Sequence, residues 1–175
     1  MASPAPTVWF TGLSGAGKTT TAAALVVELL ADQIPAVHLD GDDLRRGLSA
    51  DLGFSFDDRA EAVRRAGAVA LVVAQQGSVA VVSMISPQHA ARQAVRSLHE
   101  AAGVPFVEVY VATPLEVCES RDPKKLYQLA RQGSSRNMTG VNDPYDVPSR
   151  PELVISTDGS SVPDLVRLVR SISNL

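Results

Sequence analysis

One stretch limits this chain more than any other: Gly12-Leu-Ser-Gly-Ala-Gly-Lys18-Thr19, which fits the pattern G-x-x-x-x-G-K-[ST]. It comes after a short β-rich segment, Thr7 to Thr11, and opens Lys18 to Ala31, whose composition is helical and which Pro35 stops. Small residues at 14 to 17 let backbone N–H groups turn inward around phosphate oxygens, and a helix N-terminus behind them favours negative charge. In that context Lys18 would bridge the β- and γ-phosphates of a nucleoside triphosphate, and Thr19 Oγ would hold Mg²⁺. Gly12, Leu13, Ser14, Gly15, Ala16 and Gly17, with Lys18, Thr19 and Thr20, are the expected ATP contacts. The competing reading is a glycine-rich turn with a capped helix and no ligand.

The remainder of the chain fits an alternation of strand and helix. Ala36 to Leu39 reads as a second strand ending at Asp40, and apolar positions 62, 63, 66, 69, 70 and 73 give Asp57 to Gln76 a helical spacing with Gly77 as C-cap. Ser78 to Ile85 is a nearly unbroken apolar run, the pattern of a strand buried on both faces, and Pro87 ends it. Helix Gln88–Ala102, strand Phe106–Ala112, a short helix Pro114–Glu119, strand Leu153–Ser156 and helix Val162–Ile172 complete the series. The expected class is α/β, a P-loop NTPase-like three-layer fold with a mostly parallel sheet and helices on both faces. The 175 residues are expected to form a single domain. Residues 121–150 break the alternation: DPKK, a helical turn LYQLAR, then QGSSRN, NDP and VPSRP are polar and turn-rich. A stretch that long is a lid or binding loop, or else a tolerated surface loop.

Composition removes several classes. A net charge of −3 argues against a protein that grips nucleic acid through its backbone charge. The single cysteine, Cys118, excludes an internal disulfide framework and points to a reducing, cytoplasmic setting, with the thiol buried and inert. Met1 to Pro6 lacks the basic start and apolar run of a signal peptide, and apolar runs such as Val79 to Val82 are too short to span a membrane.

The kind of nucleotide chemistry can be narrowed. No asparagine (Asn137, Asn142, Asn174) is followed by lysine, so the guanine-reading N-K-x-D motif is absent. The apolar run ends Ser83-Met84-Ile85-Ser86 without an acid, so a carboxylate must come from elsewhere; Asp40-Gly41-Asp42 is the candidate. It lies at the carboxyl edge of the second strand, where ligands of open α/β sheets bind. If the chain stays extended, Asp40 and Asp42 point the same way, toward Mg²⁺ and an attacking hydroxyl. The alternative is an acidic turn capping a short helix, Asp42 to Gly47, and both can hold at once. Arg45, Arg46, Arg59, Arg64, Arg65, Arg92 and Arg96 are either solvated helix faces or forks for a second anionic ligand.

With these residues in place, the sequence resembles the adenylylsulfate kinases, which use ATP to phosphorylate the 3′-hydroxyl of adenosine 5′-phosphosulfate (APS). The likeness runs from Thr7 to about Thr157. It rests on the glycine-rich loop, Asp40-Gly-Asp, Leu52-Gly-Phe-Ser55, Asp58-Arg59, Arg64-Arg65, Ile85-Ser-Pro87, Glu108-Val-Tyr-Val111, Cys118-Glu-Ser-Arg-Asp-Pro-Lys124, Leu126-Tyr127, Ala130-Arg131, Thr139-Gly140 and Asp143-Pro-Tyr145. The resemblance implies that Asp40, with Asp42, serves the 3′-hydroxyl and Mg²⁺. Arg45 and Arg59 would meet the phosphosulfate end, and Phe54 one face of adenine. Ile85, Ser86, Ala62 and Thr139 would line the acceptor pocket, with Ser86 at the position assigned in the family as a phosphoserine intermediate; direct in-line transfer needs no such relay. Arg121, Lys124 and Arg131 would meet ATP or acceptor phosphates as a lid closes. Membership also implies a homodimer acting on small molecules.

The departures from the family pattern fall on the acceptor pocket. Ala62 stands for an asparagine, Met138 for the second aromatic face of the adenine sandwich, Gln88-His89 for Tyr-Arg and Lys125 for glycine. An aromatic pair contributes about 0.5–1.5 kcal/mol beyond burial, and a methionine sulfur recovers about 0.3–1.5 kcal/mol. A lost asparagine hydrogen bond costs about 0.5–1.5 kcal/mol. Three functions are therefore compatible with the residues: an APS kinase, a related kinase for another small anionic alcohol or nucleotide, and a nucleotide-binding subunit without turnover.

Overall fold

The computed structural model describes residues 3–133 and 138–175. Of the expected lid, residues 134–137 lie outside the described residues, as do Met1 and Ala2 at the N-terminus. Five strands, β1 (Thr7–Thr11), β2 (Ala36–Asp40), β3 (Val79–Ser83), β4 (Phe106–Val111) and β5 (Leu153–Ile155), form one sheet in the order β2-β3-β1-β4-β5, every pair parallel. Helices are α1 (Lys18–Ala31), α2 (Gly41–Arg46), α3 (Phe56–Gln75), α4 (His89–Ala101), α5 (Leu115–Arg121), α6 (Leu126–Arg131) and α7 (Val162–Ser173).

The apolar pattern explains the layering. β1 and β3 are buried along their whole length, as strands covered on both faces must be. Alternate residues point to opposite sides. Val8, Phe10, Val79 and Val81 join the cluster under α1 and α7, whereas Trp9, Ala80 and Val82 join the one under α3 and α4. The α/β class expected from the alternation is the one observed.

The ends of elements show where local chemistry overrode apolar patterning. The expected strand to Ile85 stops at Ser83, because the Ile85 carbonyl is taken by Thr11 Oγ1 (2.7 Å) and Ser86 turns to φ 41. α3 starts at Phe56 because Ser55 and Asp58 close a reciprocal capping box. Among the described residues of 121–150, the helical turn expected at LYQLAR is α6, and Thr139 bridges Asp143. Among the described residues no helix is long and apolar enough to cross a membrane.

His99 on α4 sits fully buried against the Phe106 ring, its Nδ1 bonded to the Val95 carbonyl (2.9 Å) and its Nε2 without a hydrogen-bond partner. Burial pushes its pKa below the ordinary 6.5, so the unfolded chain binds the proton more readily. Its stabilising contribution is present above that ordinary value and is lost as pH falls through the depressed one. We expect His99→Leu to lose less melting temperature than the parent between pH 7.5 and pH 5, measured by thermal unfolding; equal losses would remove His99 from the acid response.

Candidate active site

The loop between β1 and α1 is a backbone cradle. Gly12 and Gly17 adopt φ values of 148° and 97°, and a Cβ at either would lie 2.6 Å from Val111 O or Thr157 Cγ2. Only glycine fits such positions. The outer side of the cradle is mounted on neighbouring elements: Thr113 and Thr157 hydroxyls donate to the Ala16 carbonyl (2.9 and 2.8 Å), and Tyr127 Oη donates to the Ser14 carbonyl (2.9 Å). Its inner side faces a cleft of about 830 Å³ at the carboxyl edge of the sheet. Ser14, Gly15, Gly17, Lys18, Thr19 and Thr20 line the cleft, while Gly12, Leu13 and Ala16 form the outer frame. Lys18 Nζ donates to the Leu13 carbonyl (2.7 Å), and burial lowers its pKa to about 8.

Across from the loop, Asp40 ends β2. Its Oδ2 accepts from Thr19 Oγ1 (2.8 Å) and Ser83 Oγ (2.7 Å), and its Oδ1 from the Asp42 amide (2.9 Å). Burial acts to raise this carboxyl, but the three hydrogen bonds outweigh it and hold the pKa below the usual value. Asp40 is thus an anion at neutral pH, and it brings a carboxylate oxygen to the hydroxyl of a different element. Thr19 and Asp40 fit Mg²⁺, which binds through one or two protein oxygens with substrate phosphates and waters. Among the described residues no group of three His, Cys, Asp or Glu side chains forms a metal cage.

Asp42 does not share this position. The chain does not stay extended after Asp40; it enters α2, with Asp40 itself as N-cap. Asp42 is turned to the cleft mouth, where it pairs with Lys124. The pairing of the two carboxylates expected from i and i+2 is therefore absent, because capping α2 used the geometry that extension would have needed.

Arg45, Phe54, Arg59, Ala62, Ile85, Ser86 and Lys124 line the same cleft. The Arg45 guanidinium lies 4.4 Å from the centre of the Phe54 ring, and Arg59 bonds the Phe54 carbonyl (3.0 Å) and Thr139 Oγ1 (2.8 Å). Ser86 Oγ accepts from the Trp9 indole N–H (3.0 Å). Arg121, also lining the cleft, donates to Thr157 Oγ1 (2.6 Å).

Three expected contacts lie elsewhere. Met138 belongs to the buried cluster with Cys118, Tyr127 and Ala130, not to the cleft opposite Phe54: an unbranched apolar chain finds more burial there. Thr139 is buried and accepts from Arg59. Arg131 is turned away to Glu119 (2.6 Å). Arg46, Arg64, Arg65 and Arg96 are paired with carboxylates, and Arg92 is wholly buried. Sequence reasoning missed Thr113, Thr157, Ser83 and Ser160. The signal available was position, since Ser83 and Thr157 each fall at or just beyond the carboxyl end of a strand.

A backbone phosphate cradle facing a carboxylate over a parallel sheet defines a P-loop phosphotransferase. The adenylylsulphate kinase family profile matches residues 4–156, and the chain belongs to that family. It is 51% identical over 150 residues to the adenylyl-sulfate kinase of Shewanella amazonensis, covering 86% of this chain and 75% of that one. The structure of the Mycobacterium tuberculosis APS kinase CysC in complex with AMPPNP and APS superposes with a TM-score of 0.96 at 44% identity, covering 99% of this chain and all of that one. A hexameric APS kinase from Thiobacillus denitrificans gives a TM-score of 0.73 at 33% identity, covering 98% of this chain and 29% of that one.

The position of Met138 has a measurable consequence. Met138→Ala is expected to cost about 2–5 kcal/mol of stability, as for a buried methionine. Chemical denaturation checks it; a loss below about 1 kcal/mol would return Met138 to a ligand-facing position.

Proposed function

We propose that this chain transfers the γ-phosphoryl group of ATP to the 3′-hydroxyl of adenosine 5′-phosphosulfate, giving ADP and 3′-phosphoadenylyl sulfate. The observation that carries the reading is the 2.8 Å contact between Thr19 and Asp40, which brings a phosphate cradle and an ionised carboxylate into one cleft. Membership of the adenylylsulphate kinase family, and the relative solved with AMPPNP and APS, support the choice of substrates.

In this reading the amides of residues 14–17 and Lys18 hold the β- and γ-phosphates, and Arg121, Thr157 and Ser160 receive the nucleoside end. Thr19 and Asp40 would hold Mg²⁺, which when bound neutralises charge on the β- and γ-phosphate oxygens. Arg45 and Arg59 take the phosphosulfate anion, and Phe54 one face of the acceptor adenine. Asp40 orients the 3′-hydroxyl by accepting its hydrogen bond. Its low pKa suits a transfer with little early proton removal, since phosphoryl transfer is largely dissociative. Ser86 acts through its position rather than as a covalent carrier: its hydroxyl already accepts from Trp9, and in-line transfer between two bound substrates requires no intermediate. Lys124, released from Asp42, would meet the phosphates from the cleft mouth. The same reading includes a homodimer in the reducing cytoplasm, which sedimentation velocity would check for assembly.

A coupled assay with ATP and APS should show ADP release well above the rate with water as acceptor; equal rates would overturn the reading. Asp40→Asn keeps the side chain's size and one acceptor oxygen, enough for the Thr19 and Ser83 contacts but not for the Asp42 amide as well. We expect it to fold and bind ATP as the parent does while kcat falls about 10²–10⁴-fold. Undiminished turnover would remove Asp40 from the reaction.

A further inference from the structure

Arg92 is 1% exposed and spends its planar fork on three elements at once. Nε donates to Glu108 Oε1 on β4 (2.7 Å), Nη1 to the Ser86 carbonyl (2.7 Å) and Nη2 to the Asp146 carbonyl (2.6 Å). A buried charge is costly unless every lone pair and proton around it is matched, and an apolar pair of similar volume often packs as well. Holding the sheet together does not require this ion pair. What it adds is specific: two main-chain carbonyls, one from the loop after β3 and one from the chain returning from residues 121–143, are fixed to the same guanidinium.

Those two segments are joined at further points. The Asp146 amide donates to the Pro87 carbonyl (2.8 Å), and Asp146 Oδ2 accepts from the His89 amide (3.0 Å). Tyr145 Oη shares a hydrogen bond with Thr11 Oγ1 (2.9 Å), the residue preceding the phosphate cradle. At the centre sits Ser86 with φ 41, a conformation that persists in a non-glycine residue only when its surroundings over-determine it. Ile85 and Ser86 line the acceptor side of the cleft.

We infer that, in the kinase proposed for this chain, Arg92 is a positioning residue for the acceptor. It fixes the Ile85–Ser86 loop and the root of the return segment in mutual register, and meets the nucleotide side only indirectly, where Ile85 and Tyr145 reach Thr11 ahead of the cradle. A reacting hydroxyl displaced by about 1 Å can cost about 10²-fold in rate, so a support of this kind acts on acceptor kinetics and not on ATP affinity.

The test is Arg92→Met/Glu108→Leu, which removes both buried charges together, alongside Arg92→Lys, which keeps a cation beside Glu108 but lacks the fork. In the double variant we expect ATP affinity, by titration with a fluorescent nucleotide, to remain within about threefold of the parent. We expect kcat/KM for APS to fall about 10²-fold, with faster amide hydrogen exchange confined to peptides spanning 84–90 and 142–148. Arg92→Lys should leave ATP affinity unchanged and move kcat/KM for APS and the exchange the same way by a smaller factor, and it decides the matter alone if the double variant does not fold. Parallel losses of ATP and APS affinity, or unchanged exchange in both peptides, would overturn the inference. A parent enzyme inert toward APS would overturn the function reading instead, and the exchange comparison would still decide whether Arg92 ties the two segments.

Discussion

The meeting of Thr19 and Asp40 depends on a strand that belongs to neither. β1, which leads into the phosphate cradle, and β2, which ends at Asp40, are separated by β3. Asp40 is in register with Ser83 on that middle strand, and the Ser83 hydroxyl donates to the same carboxylate oxygen that Thr19 reaches. A carboxylate in this half-enclosed position is retained as an anion only because hydrogen bonds replace the water it gave up. The third of these comes from the first turn of α2, so the element after Asp40 also fixes the direction of its side chain. Placement of the carboxylate and capping of the helix are one arrangement of atoms.

The cradle is built before any phosphate enters it. Thr113 and Thr157, from the ends of β4 and β5, converge on a single carbonyl, that of Ala16, and Tyr127 of α6 holds Ser14. Such anchoring fixes the direction of the inner amides, and preorganised donors act strongly because they need not reorganise when charge develops. It also explains why the last strand, only three residues long, matters to a site whose motif lies at the other end of the chain.

Much of this is legible in the residues. The glycine-rich loop is readable because its chemistry demands particular residue types at fixed spacing, and α1 runs over the same residues, Lys18 to Ala31, that composition marks. Strand order along the sheet is not readable, since pairing partners are distant in sequence. The differences share a cause: local pattern says which way a side chain can point, while tertiary contacts decide which way it does. Strand periodicity puts Asp42 beside Asp40, but one backbone hydrogen bond to the Asp40 carboxylate converts that strand end into a helix start. Family resemblance puts Met138 on a ligand face, yet the turn around Thr139 places it in the apolar cluster. Arg92 is one arginine among seven in the sequence pattern; only its complete burial and its three acceptors distinguish it.

The guanidinium of Arg45 rests on the Phe54 ring. Under the proposed reading, one group must leave the aromatic face and turn to an anion before that face can take a purine. A nucleoside without its charged tail has nothing with which to draw the cation aside, and a bare oxyanion gains nothing from the ring it uncovers. The two halves of the ligand therefore help each other, and the free energies of the fragments bound separately sum to less than that of the intact molecule. On that reading, discrimination against partial ligands lies in a single stacked pair.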